Sequence, residues 1–113
     1  MAGIIDLIGN TPLVEIKKLN PNSKVRIFGK LEGNNPGGSV KDRAALNMIK
    51  SALDRGEINK TTKLVEATSG NTGIALAMIA CLFDLEIELV MPANSTRERT
   101  LTMEAYGAKV TLL

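Results

Sequence analysis

From Lys63 to Leu113 the chain alternates short β-rich runs with helical runs, and this alternation restricts its possible folds more than any other feature. Lys63 to Ala67, Glu86 to Met91 and Lys109 to Leu113 read as strands; Thr72 to Phe83, and a run from Ser95 to about Tyr106, read as helices with Gly107 as the second stop. Strand–helix–strand–helix–strand with short connections predicts an α/β fold, a parallel twisted sheet flanked by helices and joined by right-handed crossovers. The helix over Ile74 to Phe83 is apolar almost all round, so it needs cover on most sides, and something beyond this segment is expected to pack over it. Val110-Thr111-Leu112-Leu113 is an apolar strand with no turn or polar tail after it, which predicts the N-terminal part of a longer protein.

Upstream of Lys63 the pattern is less regular. Met1 to Lys30 reads as short extended pieces broken by turns: a turn at Gly9-Asn10-Thr11-Pro12, a strand over Leu13 to Ile16, a turn at Asn20 to Ser23 and a strand over Val25 to Leu31. These pieces are thin for a self-contained sheet. Val40 to Arg55 is helical, with Ala45, Met48, Ile49, Ala52 and Leu53 at core spacing and Gly56 as its stop. Ser39 with Asp42, and Ser95 with Glu98, have the spacing of capping boxes.

Composition removes several classes of function. Fourteen basic against twelve acidic residues leave +2, and two phenylalanines, one tyrosine and no tryptophan supply neither a basic stripe nor a stacking platform for nucleic acid. No apolar run reaches a membrane-spanning length of about 18 residues, and the N-terminus lacks a basic and then apolar leader, so the expectation is a cytoplasmic protein with no membrane partner. With no histidine and one cysteine, an internal disulfide, a zinc site of the usual type and a Cys-His or Ser-His nucleophile are all excluded within these residues. Cys81 sits in the apolar helix with no basic neighbour and is expected to be core. Acid–base chemistry must therefore use lysine, carboxylates or a cofactor.

Two glycine-bearing polar stretches lead into helices. In Asn34-Asn35-Pro36-Gly37-Gly38-Ser39-Val40-Lys41-Asp42-Arg43 the backbone must turn, and Lys41 then stands in the first helical turn, against the helix dipole. Either this is a capped turn with a solvated lysine, or the positive field, Arg43 and partial burial favour a neutral amine suited to Schiff-base or general-base work. The lysine spacing does not match a Walker A loop, and no glycine pattern matches a dinucleotide fingerprint. In Thr68-Ser69-Gly70-Asn71-Thr72-Gly73 a strand end meets a helix start, where open α/β sheets bind ligands. It reads either as a well-capped βα turn or as a cradle for a carboxylate or small anion.

Three segments, Ile8-Gly9-Asn10-Thr11-Pro12-Leu13, Lys30 to Arg43 and Glu66 to Gly73, resemble the cysteine synthase (O-acetylserine sulfhydrylase) family, fold-type II enzymes dependent on pyridoxal 5'-phosphate. The resemblance runs along nearly the whole chain. Asn-Asn-Pro ahead of Gly-Ser-Val-Lys-Asp-Arg is similar to the B-type members, except that Gly37 stands where alanine is expected, a small change expected to leave Lys41 undisturbed. The resemblance implies the N-terminal part of a two-domain, tryptophan synthase β-like fold. Residues 1–36 would cross to the second domain, and residues 37–113 would begin the small α/β domain carrying the cofactor lysine. It further implies that Lys41 holds the cofactor as an internal aldimine and removes the substrate Cα proton, that Asn71 bonds the cofactor's phenolic oxygen, and that Thr68, Ser69 and Thr72 hold the substrate carboxylate. O-acetyl-L-serine would lose acetate to give an aminoacrylate, and sulfide, or thiosulfate as in B-type relatives, would add to it. A homodimer is implied as well.

Other fold-type II enzymes, cystathionine β-synthase, serine or threonine dehydratase and threonine synthase, share the lysine and a related asparagine turn, and the product distinguishes them. The family's phosphate-binding loop and pyridine-nitrogen partner are not found by Leu113. These residues alone are therefore expected to retain cofactor weakly and turn over little. A chain that truly ended there would be an inactive fragment or a binding module.

Overall fold

A computed structural model describes Met1 and residues 3–113. Its centre is the predicted parallel sheet, in the order β3 (Lys63–Ala67), β4 (Glu86–Met91), β5 (Lys109–Leu112). Leu64 pairs with Ile87, and Leu89 with Val110. Strands added one after another in a single direction place both crossover helices on one face of the sheet. Those helices are α3 (Asn71–Leu82) and α4 (Arg97–Ala105), and α2 (Lys41–Asp54) packs on α3.

The core follows the sequence patterns, but Met48, expected inside with Ala45 and Ile49, lies exposed. Ile87, Leu89 and Met91 alternate inward along β4; Ala45 and Ile49 enter from α2, Ala75 to Ala80 from α3 and Met103 from α4. A fully buried aliphatic side chain such as Ile79 stabilises the fold by roughly 1.5–3 kcal/mol. The apolar helix α3 obtains cover over Ala75 to Ala80 from α2, α4 and β4, while Cys81 and Leu82 at its end stay exposed. The other face of the sheet is polar at its centre: Glu88 accepts from Lys63 at 2.9 Å and from Thr111 at 2.9 Å, with Lys109 at 3.7 Å. These partners, the Lys63 bond foremost, hold the Glu88 carboxyl below its ordinary range.

Several local expectations are corrected. Cys81 is exposed, because the last turn of α3 runs past the helices that bury Ala75 to Ala80. Neither capping box closes. The Ser39 hydroxyl does accept the Lys41 N–H at 3.2 Å, but the Asp42 carboxylate turns back to the Gly37 N–H at 2.5 Å rather than to Ser39. Ser95 Oγ donates to the Pro92 carbonyl at 2.6 Å, and no side chain caps α4.

The N-terminal part contains more helix than its polar turns suggested. A single turn, α1 (Ile4–Leu7), precedes β1 (Leu13–Glu15), and a 3₁₀ turn at Glu32–Asn34 follows β2 (Phe28–Lys30). β1 and β2 form their own antiparallel pair, with Val14 opposite Gly29, and leave Leu13, Val14 and Phe28 exposed. Both strands are shorter than their β-rich runs, because residues 24–27 make only one ladder-type bond, from the Ile16 N–H to the Ile27 carbonyl at 2.8 Å.

Candidate active site

Lys41 is the first residue of α2 and is exposed. The partial burial expected for its amine is thus not supplied by the described residues, nor does Lys41 take part in an ion pair among them. The backbone beneath it is held firmly. Asp42 is completely buried, with Oδ2 on the Gly37 N–H and Oδ1 without a partner. Burial pushes its carboxyl above the ordinary range. A Cβ on residue 37 would lie 2.3 Å from that Oδ1, so glycine here is sterically coupled to the residue next to Lys41. Gly38 follows with a φ of +92°, a left-handed turn that launches the helix, and its N–H donates to the Asn35 carbonyl at 2.8 Å.

The other four residues expected at the site lie together where β3 runs into α3. Thr68 and Ser69 form the joint, and Asn71 and Thr72 are the first two residues of α3, where backbone N–H groups have no acceptor within the helix. Asn71 and Ser69 are exposed, while Thr68 and Thr72 are half-buried. Thr68 Oγ1 accepts the N–H groups of Gly70 at 3.3 Å and Gly73 at 3.1 Å, which shapes the joint and leaves the hydroxyl proton free to be donated. Thr68 and Ser69 also line an open cleft of about 450 Å³ with Ala67, Val90, Pro92 and Leu113. Lys41 does not line it; its connection to the joint is through the packing of α2 on α3. A second hollow, of about 180 Å³, lies between α2 and β3 and is almost wholly apolar, holding none of the expected site residues.

One contact at the joint was not foreseen. Arg99 reaches from α4 to the Ser69 carbonyl at 2.8 Å, and its guanidinium lies against Gly70, where a Cβ would approach Nη1 to 3.0 Å. Its sequence setting, among charged and polar residues of an exposed helix, carries no sign of this. The donor set has part of the chemistry a pyridoxal phosphate site needs: a primary amine at the start of α2 for the aldehyde, a side-chain amide at the start of α3, and hydroxyl and N–H donors for a carboxylate.

Residues 4–113 match the model of the pyridoxal-phosphate dependent enzyme family, and the chain belongs to that family. Its fold is that of the fold-type II members. Within the family it is similar to cysteine synthase B of Salmonella typhimurium, 58% identical over 106 residues, and to cysteine synthase B of Escherichia coli, 54% identical over 113 residues. These alignments take in 94% and 100% of this chain but 35% and 37% of the relatives, so the chain spans about a third of their length. Among solved structures, a hydrogen sulfide-producing enzyme from Fusobacterium nucleatum superposes with a TM-score of 0.92 at 50% identity, over 99% of this chain and 37% of that one.

Proposed function

We propose that this chain is the lysine-bearing part of a cysteine synthase that converts O-acetyl-L-serine and sulfide into L-cysteine and acetate. The reading rests on one observation above all: an exposed primary amine begins α2, and the helix packed against it begins with a glycine-bearing joint whose hydroxyl and backbone N–H donors suit an anion. Family membership and the similarity to cysteine synthase B support it.

In this reading Lys41 holds pyridoxal 5'-phosphate through Nζ, and the Asn71 amide orients the ring through its phenolic oxygen. When bound, the cofactor supplies an electron sink for the carbanion at the substrate Cα. Thr68, Ser69 and Thr72 hold the substrate carboxylate. Thr68 contributes its hydroxyl proton, since its oxygen already serves Gly70 and Gly73. Lys41 Nζ would also carry the Cα proton, taking it as acetate leaves Cβ and returning it once sulfur has bonded to Cβ. Thiosulfate is a second candidate sulfur donor. Residues 1–36 cross to a second domain in this scheme, consistent with a β1–β2 pair that exposes Leu13, Val14 and Phe28, and residues 37–113 begin the small α/β domain. The working form is a cytoplasmic homodimer.

The test is product analysis of the full-length protein supplied with pyridoxal phosphate, O-acetylserine and sulfide. Cysteine as the product supports the reading. A keto acid, or cystathionine when homocysteine is supplied, would reassign the chain within the fold-type II enzymes. No product, together with no borohydride-reducible adduct on Lys41, would overturn the reading.

A further inference from the structure

The Gly9-Asn10-Thr11 turn has no part in the chemistry above, yet a polar network binds it to the first turn of α2. Arg43, two residues beyond Lys41, grips Glu32 with both arms of its guanidinium, Nε to Oε2 at 2.9 Å and Nη2 to Oε1 at 2.8 Å. The same Nη2 donates to the Gly9 carbonyl at 2.8 Å and meets Thr11 Oγ1 at 3.4 Å. Thr11 Oγ1 in turn donates to Glu32 Oε1 at 3.1 Å, and Lys30 Nζ donates to the Thr11 carbonyl. Asn35 closes the ring: its amide donates to Glu32 Oε2 at 2.7 Å while its Oδ1 accepts the Gly9 N–H at 2.7 Å. Asn35 and Thr11 are 3% and 6% exposed, and a Cβ on Gly9, whose φ is +79°, would stand 2.8 Å from Arg43 Nη1.

This network does not cap the helix. Ser39 already accepts the Lys41 N–H, and Arg43 bonds no orphan group of α2. What it fixes is the setting of the first turn of α2 relative to residues 9–11 and 32–35. Asp42 anchors the same turn to Gly37, so Lys41 is the exposed member of a turn whose next two residues are both tied down. We infer that the Arg43–Glu32–Asn35 clasp, closed on the Gly9–Thr11 turn, is a positioning device that sets the pose of the Lys41 amine toward the cofactor aldehyde. The inference rests on the assignment of Lys41 as the cofactor lysine. A bidentate fork matters to it, because lysine at position 43 would keep the charge but lose the geometry.

The experiment uses the full-length, cofactor-loaded protein and its Arg43→Lys and Glu32→Gln variants. The rate at which hydroxylamine strips the cofactor from Lys41 is followed by visible absorbance, and the melting temperature of each cofactor-free form is measured separately. Positioning predicts stripping accelerated by about tenfold or more in both variants, given how steeply reactivity follows placement, at a temperature where each variant is fully folded and whatever its melting temperature. Unchanged stripping beside a lowered melting temperature would reduce the clasp to a structural staple and overturn the inference. Should either variant fail to fold, Thr11→Val, which removes one lateral hydroxyl, reads the same rate with the same two outcomes. A parent protein with no reducible adduct on Lys41 would sink the cofactor assignment itself, a result distinct from an adduct that is present and insensitive to the clasp.

Discussion

Thr68 and Gly73 hold each other across the β3–α3 joint: the Gly73 N–H donates to Thr68 Oγ1 at 3.1 Å, and a Cβ on Gly73 would stand 2.5 Å from Thr68 Cγ2. Met103 closes the other side, with its Cε 2.8 Å from the same point. The loop that carries Ser69, Gly70 and Asn71 is thus folded around a position with no room for a side chain.

Gly73→Ala is therefore expected to destabilise the full-length protein by about 1–3 kcal/mol, the usual range for overpacking a dense site. Under the proposed function it should also raise KM for the amino-acid substrate, because Thr68 must move. Thermal melting and steady-state kinetics together check this; an unchanged melting temperature would mean that the joint is softer than its contacts imply.

Lys41→Ala removes an exposed side chain from a helix start and should change stability by no more than about 0.5 kcal/mol. Under the proposed function it abolishes both turnover and the borohydride-fixed cofactor adduct. Circular dichroism and intact-mass measurement separate the two effects, and turnover at the parental rate would remove Lys41 from the chemistry.

Under the proposed function, Asn71→Ala is expected to retain the adduct on Lys41 while lowering kcat by about tenfold or more, the scale of losing one well-placed polar contact in a reaction centre. The visible spectrum should shift with the change in ring orientation. A variant with the parental spectrum and rate would take Asn71 out of the site.

Acid stability offers a separate test of the clasp. The Arg43 guanidinium, helped by Asn35 and Thr11, holds the Glu32 carboxyl down at about 2 against an ordinary 4.5. The folded chain therefore binds this proton less readily than the unfolded chain does. Stability from Glu32 is fully present above 4.5 and is lost as pH falls from there toward about 2. Asp42 runs the opposite way: its raised value favours the folded state at low pH, and that contribution fades as pH rises. Comparing parent with Glu32→Gln cancels Asp42. Their melting temperatures should converge as pH falls through this window, and a gap independent of pH would show that the charge on Glu32 contributes nothing.

β3 and β4 begin and end where their sequence pattern places them, because each is a short apolar run bounded by polar turns and paired within the segment. The placement of Lys41 at a helix start, and of Thr68 to Gly73 between a strand and a helix, was legible for the same local reason. What stayed hidden depends on distant partners. Glu32 lies 11 residues from Arg43, and Arg99 lies 30 residues from Ser69, so no window of local sequence contains either relationship. Asp42 reads as a helix-start acid in sequence, and only the fold shows it sealed beneath the turn and bonded backward to Gly37. Cys81 shows the limit of reasoning from composition: an apolar neighbourhood in sequence says how a helix is buried on average, not which of its turns runs past its cover.

The apolar character of α3 has a mechanical side. A helix with one greasy stripe has a preferred roll about its axis, since any other roll drags polar groups inward. Residues Ala75 to Ala80 are all buried, and transfer from water hardly distinguishes one roll from the next. Steric shape must then set the angle, and one tight stop is the wedge of Gly73 between Thr68 and Met103. The direction in which Asn71 leaves the helix is in that sense keyed by a glycine half a turn away, as a shaft is keyed by a notch at its end.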